Sequence, residues 1–267
     1  DLDDAVSIEK TIAGYILGVH IADVAEYVKY NTLVDNEAFN RGTSVYFPTS
    51  VLPMLPKELS NGICSLNEGV ERLTLSCIMT LDKNANVVSH KICESVIKSR
   101  ARLNYTDVYK VLCGQKADDK TERGALNLEI PEVQFVFDEN GMAVDLERRE
   151  RNDAHRLIED FMVLANQTVA KEYCDNDIPF VYRVHESPRK EKVEAVLEYL
   201  KGIGVKAPSI PQDITPEYYQ ELIKLCSNQP YTETVNKVIL RSMQKARYTN
   251  QCLGHFGLAL KYYCHFT

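Results

Sequence analysis

Apolar positions along this chain recur at two different spacings, and the change from one to the other divides it. In the first third, Ala5 to Ile8, Tyr15 to Ala22, Leu73 to Met79 and Val87 to Ser95 are runs rich in β-branched and apolar residues, separated by turn formers such as Lys83-Asn84-Ala85-Asn86. They predict the strands of an antiparallel or mixed sheet. Between them, Arg41 to Pro48 and Leu52-Pro53-Met54-Leu55-Pro56 read as a long structured loop, because proline cannot donate to a central ladder. In the second half the apolar period lengthens to that of a helix. Asn152-Asp153 caps a segment that places Leu157, Phe161, Leu164, Ala165, Thr168 and Val169 at helical spacing. Pro188 to Gly202, Tyr218 to Cys226 and Thr232 to Ala246 predict three more helices. No internal repeat or low-complexity segment interrupts the pattern. The predicted fold is α+β, a mixed or antiparallel sheet packed with a helical lobe, as a single domain over residues 1–267.

Composition narrows this picture only modestly. An apolar fraction of 45% over 267 residues is enough for a substantial core. The chain begins without Met inside a charged motif and stops just after an apolar run, so the expectation is a domain truncated at both ends. No apolar stretch approaches bilayer length, which argues against a membrane partner. Eight cysteines lie far apart, with no Cys-x-x-Cys pair, and six histidines show no zinc-type spacing. They read as reduced residues of a cytoplasmic protein with no disulfide-linked partner. A formal charge of -7 argues against a surface that attracts nucleic acid everywhere, yet leaves room for a local basic track.

Candidate chemistry begins at the first residue. Asp1, Asp3 and Asp4 crowd three carboxylates into four positions, which a fold tolerates only with solvent or a cation to offset their repulsion. Hard divalent ions with oxygen ligands suit them, Mg²⁺ first and Mn²⁺ also. A calcium loop is excluded, since Ala5 and Val6 stand where its acid or amide and its glycine belong. In an extended segment Asp1 and Asp3 share one face and Asp4 takes the other, so a bend near Ala5 is expected if all three are to meet. Basic residues cluster at Arg148-Arg149-Glu150-Arg151 and again at Arg241, Lys245 and Arg247. Arg241 and Lys245 are four apart, which predicts one helix face. Glu159 and Asp160 read as polar positions of an amphipathic helix, with Arg156 four residues before Asp160. Asn166 either extends that polar line or satisfies a buried backbone group. His185-Glu186 reads as a structural pair, since no further ligand follows at metal spacing.

Six ordered blocks carry a resemblance: Asp1-Leu2-Asp3-Asp4-Ala5-Val6, Gly18 to Val24, Arg41 to Tyr46, Pro53-Met54-Leu55-Pro56, Leu59 to Leu66 and Gly254 to Leu260. Together they resemble the catalytic (RNB) domain of the ribonuclease II/ribonuclease R family. That resemblance covers the whole chain, and it implies a processive, Mg²⁺-dependent 3′-to-5′ exoribonuclease. Such an enzyme acts on a single-stranded RNA 3′ end and releases nucleoside monophosphates. It also implies roles. Asp1, Asp3 and Asp4 match the last three of four motif aspartates, with at least two of them holding metal. Tyr46 matches a tyrosine that stacks on the terminal base, and Tyr105 one that recognises the sugar. Glu159 matches a glutamate near the 3′-terminal nucleotide. Arg241 and Lys245 are the candidates for phosphate contact, and His20 and His255 belong to the blocks either as architecture or as support behind the site residues. Leu128 stands near the place where the family has a second aromatic. A family arginine that follows the final Thr lies beyond the sequence, so low activity is expected of this stretch alone. The rival readings are a non-catalytic RNA-binding protein of the same fold and a metal-dependent phosphoesterase acting on DNA or small nucleotides.

Overall fold

The computed structural model describes residues 2–47, 50–112, 133–138, 142–148 and 152–267. In chain order the elements are β1 (Asp4–Lys10), β2 (Gly14–Ala22), α1 (Val24–Tyr27), α2 (Leu33–Arg41), β3 (Val45–Tyr46), β4 (Val51–Leu52), a stretch of π-helix at Glu58–Ile63, β5 (Glu71–Asp82) and β6 (Val87–Lys98). They continue with α3 (Tyr105–Leu112), β7 (Val133–Phe137), β8 (Ala143–Arg148), α4 (Asp153–Asp175), β9 (Tyr182–Val184), α5 (Lys190–Gly202), α6 (Pro216–Leu225), α7 (Thr232–Ser242) and β10 (Arg247–Thr249). The described residues divide into two compact units. The first falls within Asp1–Cys113, Val133–Ala165 and Phe266–Thr267, the second within Asn166–His265, and the boundary lies inside α4.

The first unit is built on an antiparallel sheet of order β1-β2-β5-β6. Antiparallel partners share a face, so the register assigns every side chain. Val6 opposite Val19, Ile8 opposite Leu17, and Val19 and Leu17 opposite Cys77 and Met79 make one apolar face. Leu17, Val19, Cys77 and Met79 are fully buried. Asp4, opposite Ile21, sits at the margin of that same face. The other face carries a polar chain across the strands. Ser7 Oγ meets His20 Nε2 at 3.1 Å, His20 Nδ1 meets Ser76 Oγ at 2.7 Å, and Ser76 Oγ meets Ser95 Oγ at 2.6 Å. Gly18 makes room for this chain, because a Cβ there would fall 2.5 Å from Ser7 Oγ and 2.7 Å from His20 Nε2. Burial lowers the His20 pKa, so the imidazole bridges two hydroxyls as a neutral group.

The second unit packs α5, α6 and α7 around Val193, Val196, Leu200, Tyr219, Leu222, Val235 and Ile239. Thr215 caps α6 by accepting from Tyr218 N, and Pro216 occupies its first position. Tyr219 is buried entirely, its hydroxyl 2.9 Å from Ser242 Oγ and its ring edge-on to Phe256. A two-stranded sheet of β9 and β10 completes the unit.

Candidate active site

The acidic head of the chain is docked rather than trailing. Leu2 N donates to Ser65 Oγ (3.0 Å), Leu66 N donates to Leu2 O (2.9 Å), and Ala22 N donates to Asp3 O (2.9 Å). Asp3 is thereby clamped between the end of β2 and the buried Ser65-Leu66 pair, and Asp4 opens β1. Ser65 in turn is held by Arg72, whose Nε donates to Ser65 O (3.0 Å) and whose Nη2 donates to Gly62 O (3.3 Å) in the π-helical stretch. Such stretches are rare and concentrate at functional sites. Asp23, directly after β2, caps α1 through Glu26 N.

The electrostatics agree with this crowding. Burial, then the neighbouring Asp3 charge, push the Asp4 carboxyl above the usual aspartate range. Burial is the main cause that pushes the Cys64 thiol up, Arg72 works against it, and the charges of Asp3 and Asp23 add to it. Asp1 lies outside the described residues. The expected bend near Ala5 does not occur: β1 pairs with β2 without a break from Asp4 to Lys10, and Ala5 faces His20 in regular register. Its absence has a plain cause, since Asp3 precedes the strand and is placed by loop contacts instead. Among the described residues no three His, Cys, Asp or Glu side chains converge as a metal cluster.

Two further groups form in the same unit. Tyr46 sits on the β3-β4 hairpin, 72% exposed, with its ring available to a ligand. The predicted loop thus contains two short strands. Arg41 Nη1 donates to Pro53 O (2.9 Å) and Met54 N donates to Ser44 Oγ (2.9 Å), which ties the hairpin to the end of α2. Gly42, at φ 71°, ends that helix with a left-handed turn that other residues resist. Tyr105 opens α3 and stacks on His155, ring centroids 3.9 Å apart and planes 16° from parallel. His155 lies in the first turn of α4, capped as expected by Asn152, and Glu159 follows one turn later on the same side. Tyr105 thus packs against the first turn of the helix that carries Glu159. Neither sequence spacing nor motif pointed to His155; its position four residues before Glu159 is the signal that was available. Arg156 reaches Asp153 at 3.4 Å.

Arg241 and Lys245 belong to the second unit, and their predicted geometry needs correction. α7 ends at Ser242 and Met243 is extended, so Lys245 does not share a helix face with Arg241. Ser242 explains the early stop, since its hydroxyl donates to Ile239 O (2.6 Å) and meets Tyr219 at the core. Both basic side chains are exposed. Arg247 is committed to Glu186 at 3.1 Å. Arg149, Arg151 and Leu128 lie outside the described residues. Asn166 is buried; its Nδ2 donates to the side-chain Oη of Tyr263 (3.4 Å), and its backbone carbonyl accepts from Cys264 Sγ (3.1 Å). His185 and His255 form an architectural hub. Gly257 N donates to His185 Nδ1 (3.1 Å), and the two imidazoles pack edge to face at 5.1 Å. Burial, the adjacent His185 and Arg183 bring His255 down to about 4.

The fold, with an acidic motif docked at the head of its antiparallel sheet, defines a recognised class. The RNB domain family matches residues 1–122 and 117–267, and the chain belongs to that family. It is 42% identical over 291 residues to ribonuclease R of Thermotoga maritima, covering 100% of this chain and 41% of the relative. It is 40% identical to ribonuclease R of Escherichia coli, covering 100% of this chain and 36% of that protein. A solved structure of Mycoplasma genitalium RNase R in complex with ribose-methylated single-stranded RNA superposes with a TM-score of 0.91 at 30% identity. That match covers 100% of this chain and 45% of the other. The chain thus spans less than half the length of these relatives.

Proposed function

We propose that residues 1–267 form one catalytic domain of a processive 3′-to-5′ exoribonuclease that hydrolyses single-stranded RNA to nucleoside 5′-monophosphates. The family match, which runs through both units, supports treating them as one domain, and the RNA bound to the Mycoplasma relative supports the substrate. The observation that carries the reading is the pair Asp3-Asp4. It is clamped at the head of an edge strand, where burial and mutual repulsion hold the Asp4 carboxyl in want of a positive charge. In this reading Asp3 and Asp4, with Asp1, hold Mg²⁺, and Mn²⁺ is an acceptable substitute. The metal, when bound, offsets phosphate charge and favours attack by water. Tyr46 stacks on the terminal base, a contact worth about 1–3 kcal/mol for any base. Tyr105 meets the ribose, Glu159 lies beside the terminal nucleotide, and Arg241 and Lys245 are the candidates for phosphate contact. No described helix is long and apolar enough to cross a membrane, and a cytoplasmic setting suits the scattered thiols.

The test uses the full-length parent with uniformly labelled RNA and the matching DNA, with Mg²⁺ and with chelator. Mononucleotide release from RNA alone, abolished by chelator, is expected. Binding without release would identify a non-catalytic RNA-binding protein, and equal attack on DNA a general phosphoesterase.

A further inference from the structure

The contact between Tyr105 and His155 is more constrained than a chance packing of two rings. Tyr105 is the first residue of α3, and Asn104 before it fixes the helix start. Its Oδ1 accepts from Asp107 N (2.8 Å) and its Nδ2 donates to Asp107 Oδ2 (2.6 Å). On the other side, the His155 imidazole is held by Asn152, with Nδ1 2.8 Å from its Oδ1 and 3.4 Å from its backbone N. The same Asn152 oxygen accepts from Ala154 N and His155 N. The His155 ring is therefore anchored by a capping asparagine, Tyr105 is set on a capped helix start, and the two rings meet face to face at 3.9 Å. One face of Tyr105 is thus occupied, yet the residue remains 44% exposed. A purely structural staple would bury an apolar pair; here a phenol is held by its ring with part of it left open to solvent, beside the turn that carries Glu159.

We propose that His155 is a specificity-determining positioning residue: by stacking on Tyr105 it fixes the plane of the phenol, so that its hydroxyl is presented to a ribose 2′-hydroxyl rather than rotating freely. This rests on the exoribonuclease reading and on Tyr105 meeting the sugar. A hydroxyl recognised by a pre-set partner discriminates far better against its absence than one met by a mobile group, because an unmade bond then leaves a fixed polar atom unpaired. His155 does not touch the reacting atoms in this scheme, and its removal acts through Tyr105.

The experiment compares the full-length parent with its His155→Ala, His155→Gln and His155→Phe variants. The substrates are an oligoribonucleotide and the same strand carrying 2′-deoxy sugars at its last nucleotides, and the readout is the ratio of kcat/KM for the two. His155→Phe keeps a ring on Tyr105 and is expected to keep the wild-type ratio. His155→Ala and His155→Gln remove the ring and are expected to shrink that ratio by roughly tenfold or more, mainly by faster handling of the deoxy strand relative to RNA. Circular dichroism verifies folding, and if His155→Ala does not fold, His155→Gln decides alone. Unchanged ratios in every variant, or a ratio lost in His155→Phe as well, would overturn the proposal. A wild-type protein that degrades neither strand would instead sink the exoribonuclease reading. One that degrades both equally would remove the sugar role of Tyr105, and the role of His155 with it.

Discussion

Asp4 is costly to the metal-free fold, because its charge is partly removed from water and faces that of Asp3. Its pKa is raised on folding, so the stability it contributes is full below the ordinary aspartate value and is lost as pH rises through the raised one. At neutral pH the carboxylate is therefore a penalty that a cation or a neutral side chain would relieve. Asp4→Asn is expected to raise the melting temperature of metal-free protein. It should also abolish most of the stabilisation that added MgCl₂ gives the wild type, and melts with and without Mg²⁺ at pH 7.5 check both. In the full-length parent the same variant should lower RNA hydrolysis by a factor on the order of 10²–10³. A melting temperature that falls instead would mean Asp4 is a structural anchor. At this scale the acidic motif was legible because its residues are neighbours in sequence. The stack of Tyr105 on His155 was not, since the two residues are fifty positions apart and no periodicity joins them.

The strands and helices were readable because their apolar periods differ, and β1, β2, β5 and β6 fall where alternation and turn formers put them. What periodicity could not reveal is where a helix yields to a side chain, as α7 does at Ser242, or that Glu58–Ile63 winds as a π-helix. Glycines explain another block. Gly254 has φ +79° and a Cβ there would lie 2.9 Å from Leu260 O, while a Cβ on Gly257 would press on His185 Nδ1 at 3.0 Å. Gly254→Ala is expected to cost about 1–3 kcal/mol in urea unfolding, since the left-handed conformation alone costs a substituted residue roughly 1–2 kcal/mol. The hub beside it also sets an acid response. His255 is brought down to about 4 from 6.5, so the unfolded chain binds the extra proton first. The contribution is complete above pH 6.5 and is lost as pH falls towards 4. His255→Gln should flatten the stability profile over that window.

For the molecule as a whole, a charge of -7 makes any RNA contact a local matter. If Arg241 and Lys245 each neutralise one phosphate, replacing either by Gln should reduce the slope of log K against log salt by up to about 0.7 and weaken all RNA sequences alike. Filter binding with the full-length parent across a salt series measures this, and an unchanged slope would return both residues to the role of solvated surface. Their membership of the second unit could not be seen in advance, because sequence order says which residues are basic and not which compact unit will carry them.

Gly18, which leaves space beneath Ser7 and His20, has a bearing on counting. Were β1 to pair one residue out of step, Val6 or Ile8 would arrive where only a small polar partner fits, and Asp4 would turn to the opposite side of the sheet. Such a slip would exchange the main-chain bonds for about as many with new partners. A notch built from one missing methyl group thus keeps the tally of a seven-residue strand, and with it the address of the carboxylate at its head.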